Sequence, residues 1–397
     1  LTFIFITMLL DTIGLGIIVP VLPELIMELT GEGLSVAAQY GGWLIFIYAL
    51  MAFIFSPAIG NLSDRYGRRP VLLLALAALS IDYIIMGFAP TIALLFVGRM
   101  LAGIAGATYT TANAFIADIS TDENRAQNFG LVGAAFGFGF IIGPAIGGVL
   151  GEFGPRIPFF AASAVAFANL IYGYLVLPET LAPENRRPFV FWRANPVGAL
   201  LQMRAYPVVA ALIGVLIFYQ IAHDANPATW AYVMREKFDW SDRDVGFSLG
   251  FVGISVALVQ GVLIRAVIPR LGEELTVYFG LAFGAIGFFG FAFASQGWMI
   301  YLWIVPWSMM GLATPALRAI MSRQAPPDAQ GELQGAITSM QSLVAIFSPI
   351  FMTQLFAIYA VRDAPIYFPG APFLAAAISV GAGAILAAGV LRNMKIA

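Results

Sequence analysis

Gly60-Asn61-Leu62-Ser63-Asp64-Arg65-Tyr66-Gly67-Arg68-Arg69-Pro70 is a polar stretch set between two long apolar runs, Gly41–Gly60 and Val71–Ala89. A helix needs about 20 apolar residues to cross the hydrocarbon core of a bilayer, and each run has that length. The stretch between them reads as a tight turn at the membrane surface. Gly67 permits the turn, the arginines hold it in water, and Asp64 can accept hydrogen bonds from a helix N-terminus, where the dipole favours an anion.

The pattern repeats outward in both directions. Before the turn lie Leu1–Pro23 and Gly41–Gly60; after it come Val71–Ala89, Ile92–Ala117, Phe129–Leu150 and Phe159–Leu177. A polar stretch, Glu179–Arg204, interrupts the series. The second set is Pro207–Val233, Val245–Ile268, Leu275–Ala294, Met299–Ser322, Leu333–Tyr359 and Pro372–Leu391. The sequence therefore predicts an all-α integral membrane protein with twelve transmembrane helices. Residues 1–178 form one six-helix half, 179–206 a cytoplasmic linker and 207–397 the other half. Leu1–Leu10 lacks a charged leader and runs on to Pro23, so it reads as the start of the first span, not as a cleaved signal peptide. A few residues are expected to precede Leu1.

Composition agrees. Apolar residues make up 60% of the chain, charged residues 11%, and the mean hydropathy is +0.88. A soluble domain carries about 25% charged residues, so most of this surface must face lipid. The net charge of −2 gives no case for nucleic acid as a partner. With no cysteine and one histidine, His223, disulfides, thiolate chemistry and Cys- or His-rich metal sites are excluded. No cofactor is expected, and no nucleophile–base constellation suggests an enzyme.

Twelve spans put both termini on one side. If that side is the cytoplasm, its loops and helix ends hold Arg65, Arg68, Arg69, Arg125, Arg186, Arg187, Arg392 and Lys395, among others. The far side holds only Arg156, Arg235, Lys237, Arg243 and Arg362. This bias predicts cytoplasmic termini. The halves are also weakly repeated at an offset of 205 residues: Arg65 with Arg270, Gly67 with Gly272, Gly106 with Gly311, Gly130 with Gly335, and Pro144 with Pro349. Two related six-helix halves form a transporter architecture, with substrate held near the midplane.

Lipid is hostile to charge; an ionised group at a helix centre costs roughly 2.5–3.5 kcal/mol. Three charges are nevertheless placed there. Asp11 lies a dozen residues before Pro23, about 18 Å along a helix. Asp82 and Arg99 flank the short turn Ala89–Thr91 at similar depth and could pair, either as a static pin between two helices or as part of a switch. Low-dielectric surroundings favour a protonated carboxyl group and a neighbouring arginine favours an ionised one. Substrate occupancy could tip that balance. The positions matching Asp11, Asp82 and Arg99 in the second half are Leu216, Gly287 and Ile304, so the electrostatic machinery belongs to the first. His223 and Asp224 lie near an outer helix end and read either as a wetted end or as part of a gate or vestibule, and Arg265 and Arg318 as side chains snorkelling to the cytoplasmic surface. Trp230, Trp303 and Trp307 could line an apolar pocket, although most aromatic rings here are expected to face lipid or neighbouring helices.

The fifth span carries Gly130, Gly139, Gly143, Pro144, Gly147 and Gly148. Small residues at four-residue spacing let helices approach closely. Together with the Gly60–Pro70 loop and the Gly98-Arg99…Gly103…Gly106 string, this pattern resembles the major facilitator superfamily. The loop is similar to its signature between helices 2 and 3, and the Gly/Pro pattern to that of its antiporters. Asp11-Thr-Ile-Gly-Leu-Gly-Ile-Ile-Val-Pro-Val-Leu-Pro23, Ser63–Leu74, Gly98–Thr108, Phe247–Gly250 and Pro315–Leu317 through Gly331–Gly335 resemble the tetracycline/proton antiporters.

That resemblance implies two pseudo-symmetric six-helix halves in a bacterial inner membrane, usually as a monomer. It implies proton coupling through Asp11, Asp82 and Arg99, and a gating loop of Gly60, Asp64, Arg65, Gly67, Arg68 and Arg69 that latches near Gly331–Gln334. It also implies a substrate-handling glutamine at Gln260. Two departures stand out: Val256 and Gly284 occupy the places of a histidine and an aspartate tied to proton movement. Arg318 also replaces a usually neutral residue of the family and could bias selectivity. The expected activity is proton-driven efflux of a small, drug-type compound. A nutrient or metabolite carrier, uniport or proton symport, is the alternative; a receptor or scaffold on the same fold would gain nothing from buried charge.

Overall fold

The computed structural model describes residues 2–105, 108–121, 125–186, 206–324, 326, 330–361 and 364–394, and the regular elements among them are all helical. The first part holds α1 (Thr2–Ile18), α2 (Leu22–Thr30), α3 (Leu34–Tyr66), α4 (Arg68–Phe88), α5 (Ile92–Ala105), α6 (Thr108–Asp118), α7 (Arg125–Gly151) and α8 (Ile157–Val176). The second holds α9 (Pro207–Phe238), α10 (Asp242–Leu258), α11 (Ile264–Phe293), α12 (Gly297–Ser308), α13 (Ala313–Gln324), α14 (Gln330–Tyr359) and α15 (Ala371–Met394). Most of the linker expected at 179–206 lies outside the described residues, as do Gly106, Arg187, Arg362 and Lys395.

Among the described residues, nine helical stretches are long and apolar enough to cross a membrane, or ten if α1 and α2 count as one span bent by 46°. The bend has a local cause: Pro20 and Pro23 remove backbone donors where the ladder would continue. The stretch Asp242–Phe293 has 52 residues, about 78 Å at the helical rise, enough for two crossings. It is hinged at Gly272, whose φ of 73° leaves the helical region. With the shorter apolar α5 continuing towards α6, this inventory accommodates twelve crossings. Large side chains stand out from the surface, with Leu74, Leu175 and Ile385 exposed by 71%, 73% and 77%. Water would oppose such a surface; hydrocarbon does not.

The chain divides into two compact units, Leu1–Ala194 with Trp240–Gly253, and Asn195–Asp239 with Ile254–Ala397. In the first unit α1 packs along α7 and α8, α3 along α5, and α4 along α8 and α5. In the second, α9 packs on α15 and α14, and α11 on α15 and α12. The tryptophans of this unit pack against neighbouring helices. Trp230 is buried edge-on against Phe291, with centroids 5.2 Å apart, and Trp307 stands 6.1 Å from Phe288. Trp303 covers Gly290. Large rings exclude one another from small cavities and gain more by stacking in a core.

Candidate functional site

Three features of the first unit bring the predicted residues together. The first is the charge cluster. Arg99 on α5 donates from Nη2 to Asp82 on α4, forming a buried ion pair, and lies 2.9 Å from Met86 Sδ. Its guanidinium also sits 5.8 Å from the centre of the Tyr48 ring. Gly98 makes room for the pair, since a Cβ there would come within 2.6 Å of Asp82 Oδ1. The pair is not saturated: Asp82 Oδ1 and Arg99 Nε are buried without hydrogen-bond partners.

Asp11 on α1 is 5% exposed, and among the described residues neither a cation nor a hydrogen-bond donor engages its carboxylate. The charges of Asp11, Asp82 and Arg99 all reach the same two phenols, half-buried Tyr48 and buried Tyr83. Those tyrosines carried no signal in the sequence, because a ring inside an apolar span reads as ordinary packing.

The second feature is the seat of α1. A Cβ on Gly139 would lie 2.5 Å from Thr12 Cβ, and one on Gly143 2.7 Å from the Ile13 carbonyl oxygen. One on Gly147 would overlap the Ile17 carbonyl. These glycines on α7 thus bear on the residues that follow Asp11, and Gly16 answers them from α1 with contacts to Gly143 and Pro144. The opposite face of α7 receives the start of α10: Gly148 meets Asp242 and Arg243, Gly246 meets Pro144, and Gly253 meets Ile141. Gly130 lies in α7, ahead of these contacts.

The third feature is the turn at Gly67. Its φ of 107° is a left-handed value that favours glycine, and a Cβ would collide with the Glu179 carboxylate. Glu179 accepts hydrogen bonds from the backbone N–H groups of Arg68 (2.9 Å) and Arg69 (3.3 Å). It therefore caps α4, the role expected of Asp64. Asp64 instead accepts from Arg68 Nη1 at 2.5 Å, alongside Ser63 Oγ at 2.7 Å, while Arg68 Nε donates to Asp118 at 3.0 Å. Arg69 donates to the Tyr174 carbonyl oxygen at 2.6 Å. Gly60 supplies the carbonyl that accepts from Ser63 Oγ. Arg65 lies over Tyr66, 5.1 Å from the ring centre. The side chain of Glu332, within the expected latch contact, lies outside the described residues.

The second unit contributes a cavity of about 390 Å³. Tyr219, Gln220 and His223 line it from α9, Gln260 from a π-helical turn (Val259–Leu263), and Thr314 and Arg318 from α13. Gln341 of α14 closes it and accepts from Arg318 Nη2 at 3.3 Å. Arg318, half-buried, lines this cavity, where a role in selectivity would place it. His223 lines the cavity, stacked 6.2 Å from Tyr219, because α9 continues to Phe238 and leaves His223 well inside the helix. Gly284 is packed against Met310, whose Cγ would lie 2.7 Å from a Cβ, so the space an aspartate would need is filled.

The sequence profile described as Major Facilitator Superfamily matches residues 4–349. The chain is 40% identical over 351 residues to the tetracycline resistance protein, class C, of Escherichia coli, covering 88% of each chain. It is 38% identical over 355 residues to the class G protein of Vibrio anguillarum, again covering 88% of each. Among solved structures, a bacterial homologue of the human lysosomal transporter Spinster superposes with a TM-score of 0.77 at 15% identity, covering 98% of this chain and 96% of that one.

Proposed function

The chain belongs to the Major Facilitator Superfamily, and from that premise we propose that it exports a small, tetracycline-like organic compound from the bacterial cytoplasm in exchange for protons, by alternating access. Its fold and relatives are those of multi-pass membrane transporters. The observation that carries the reading is Asp11: a carboxyl group buried on an apolar helix, with no cation among the described residues to neutralise it, just ahead of the residues that the Gly139–Gly147 stripe seats, and sharing two phenols with the Asp82–Arg99 pair. Such a group gains more from taking up a proton than from staying charged in a low-dielectric setting. It can therefore carry one across.

In this reading Asp11 is the proton carrier, Arg99 sets how readily it loads, and Asp82 holds Arg99. Val256 and Gly284 leave the acid–base work to the first unit. The loop Gly60–Arg69 acts as the cytoplasmic latch, Gln260 contacts substrate, and both termini lie in the cytoplasm. Residues 1–178 and 207–397 are the two six-helix halves, joined by 179–206, and the protein works as a monomer.

The test is transport in proteoliposomes. A pH gradient imposed across the bilayer should accumulate tetracycline against its own gradient, and collapsing it with nigericin should abolish accumulation. Tetracycline flux indifferent to the imposed gradient would favour a uniporter and overturn exchange.

A further inference from the structure

Among the described residues that line the cavity of the second unit, Arg318 and His223 are the basic ones and none is a carboxylate. Asp224 is buried behind His223, its Oδ1 lying 3.7 Å from His223 Nδ1 and accepting from Gln220 Nε2 at 2.7 Å, so it is engaged by those two side chains and does not line the space. Arg318 is half-buried, its Nη2 held by the Gln341 amide oxygen, and its Nε is buried without a partner. Beside it stand the Tyr219 hydroxyl, close enough to feel the guanidinium charge, and the amide of Gln260.

Gln260 is itself aimed by the fold. It lies in the π-helical turn, where one extra residue shifts the register of the helix, a device found mostly at functional sites. Gly311 opposes it with no side chain, leaving the Gln260 Nε2 only 3.3 Å from where a Cβ would stand.

A guanidinium facing a cavity inside a helical bundle, with no carboxylate among the described residues that line it, is expensive to keep. It offers a planar fork of donors that matches a carboxylate or an enolate. The volume is within the range that holds a drug-sized molecule.

We propose that this cavity selects organic monoanions: compounds whose ionised carboxylate or enolate pairs with Arg318 while the amide of Gln260 donates to a neighbouring oxygen. Gln341 is the positioning residue that keeps the guanidinium turned inward. This names the substrate class for the exporter reading above and rests on it.

The experiment uses full-length protein purified in detergent, titrated calorimetrically with matched probes. The pairs are nalidixate and its methyl ester, salicylate and salicylamide, and fusidate and its methyl ester, with ethidium as an organic cation. The expected result is that at least one acid binds about tenfold more tightly than its neutral partner, a difference of ~1.4 kcal/mol. R318Q should erase that preference and R318K should keep part of it. Neutral partners binding as well as every acid, ethidium binding most tightly of all, or R318Q preserving the preference would each overturn the proposal. The wild-type comparison decides even where a variant does not fold. pH-driven transport without any acid preference sinks only this inference; acid preference without pH-driven transport sinks only the exporter reading.

Discussion

Gly67 and Gly272 stand at the same step of the repeat, and both take a left-handed φ, 107° and 73°. The residue after each begins an ion pair to a partner fifty positions further on: Arg68 with Asp118, and Glu273 with Arg323. The backbone plan is shared, but the polarity is reversed. The surroundings differ as well. The Arg68 side chain is 10% exposed and also binds Asp64 and Ser63, with Glu179 capping the helix beside it. The Arg323 side chain is 61% exposed, and a Cβ on Gly272 would meet nothing within 4 Å. One turn is a buried network and the other a surface pair, so a shared fold has kept the turn in both units but built the network in only one.

The contrast extends into the membrane. The counterparts of Asp11 and Arg99 in the second unit are Leu216 and Ile304, both buried, and the place of Asp82 is taken by Gly287 against Trp307. The first unit buries a carboxylate–guanidinium pair in its core; the second buries the Asp224 carboxylate beside His223, amid aromatic rings and a cavity. The same holds for α7 and its counterpart α14. Gly143 and Gly147 fall opposite Ser348 and Met352, and Ser348 spends its hydroxyl on the Ile221 carbonyl at 3.1 Å.

The largest expected effect tests that last difference. Gly147→Val drives a side chain into the Ile17 backbone and should abolish folded protein, or leave it without transport, as read by size-exclusion chromatography and efflux; Met352→Val should lower the melting temperature only modestly. If both behave alike, the stripe is not the seat of α1. Next comes Gly67→Ala against Gly272→Ala. Each meets the left-handed penalty of about 1–2 kcal/mol, but only the first also displaces Glu179, so its melting temperature should fall further. Equal falls would mean that Glu179 yields freely.

A charge swap sharpens the comparison. The double variant R68E/D118R recreates the polarity of the second unit yet loses the bonds to Ser63 and Asp64, so transport should drop severalfold. E273R/R323E should stay close to wild type, since exposed pairs contribute about 0–1 kcal/mol. Smallest is Glu179→Gln, a weakened cap costing about 1 kcal/mol, visible as a modest loss of thermal stability.

Depth was legible in the sequence; direction around the helix was not. Asp11, Asp82 and Arg99 announced themselves because charge in a twenty-residue apolar run has few reasons to exist. The partnership of Asp82 with Arg99 followed from a short turn placing both at one depth. The glycines of α7 were visible by spacing. The sequence left Arg318 between the surface and a role in selectivity, and His223 between a wetted helix end and a vestibule, because polar residues stand on more than one face of their helices and nothing in the order of residues says which side looks inward. Glu179 caps a helix from 111 residues away, and no local pattern encodes that. The π turn at Gln260 and the phenols of Tyr48 and Tyr83 were equally silent, since each depends on how neighbouring helices pack.

The central claim is that the proton rides on Asp11, and one pair of assays on Asp11→Asn tests it. In proteoliposomes the variant should still exchange labelled for unlabelled tetracycline at equal pH on both sides, while accumulation driven by a pH gradient falls to background. Accumulation at the wild-type level in that variant would contradict the account.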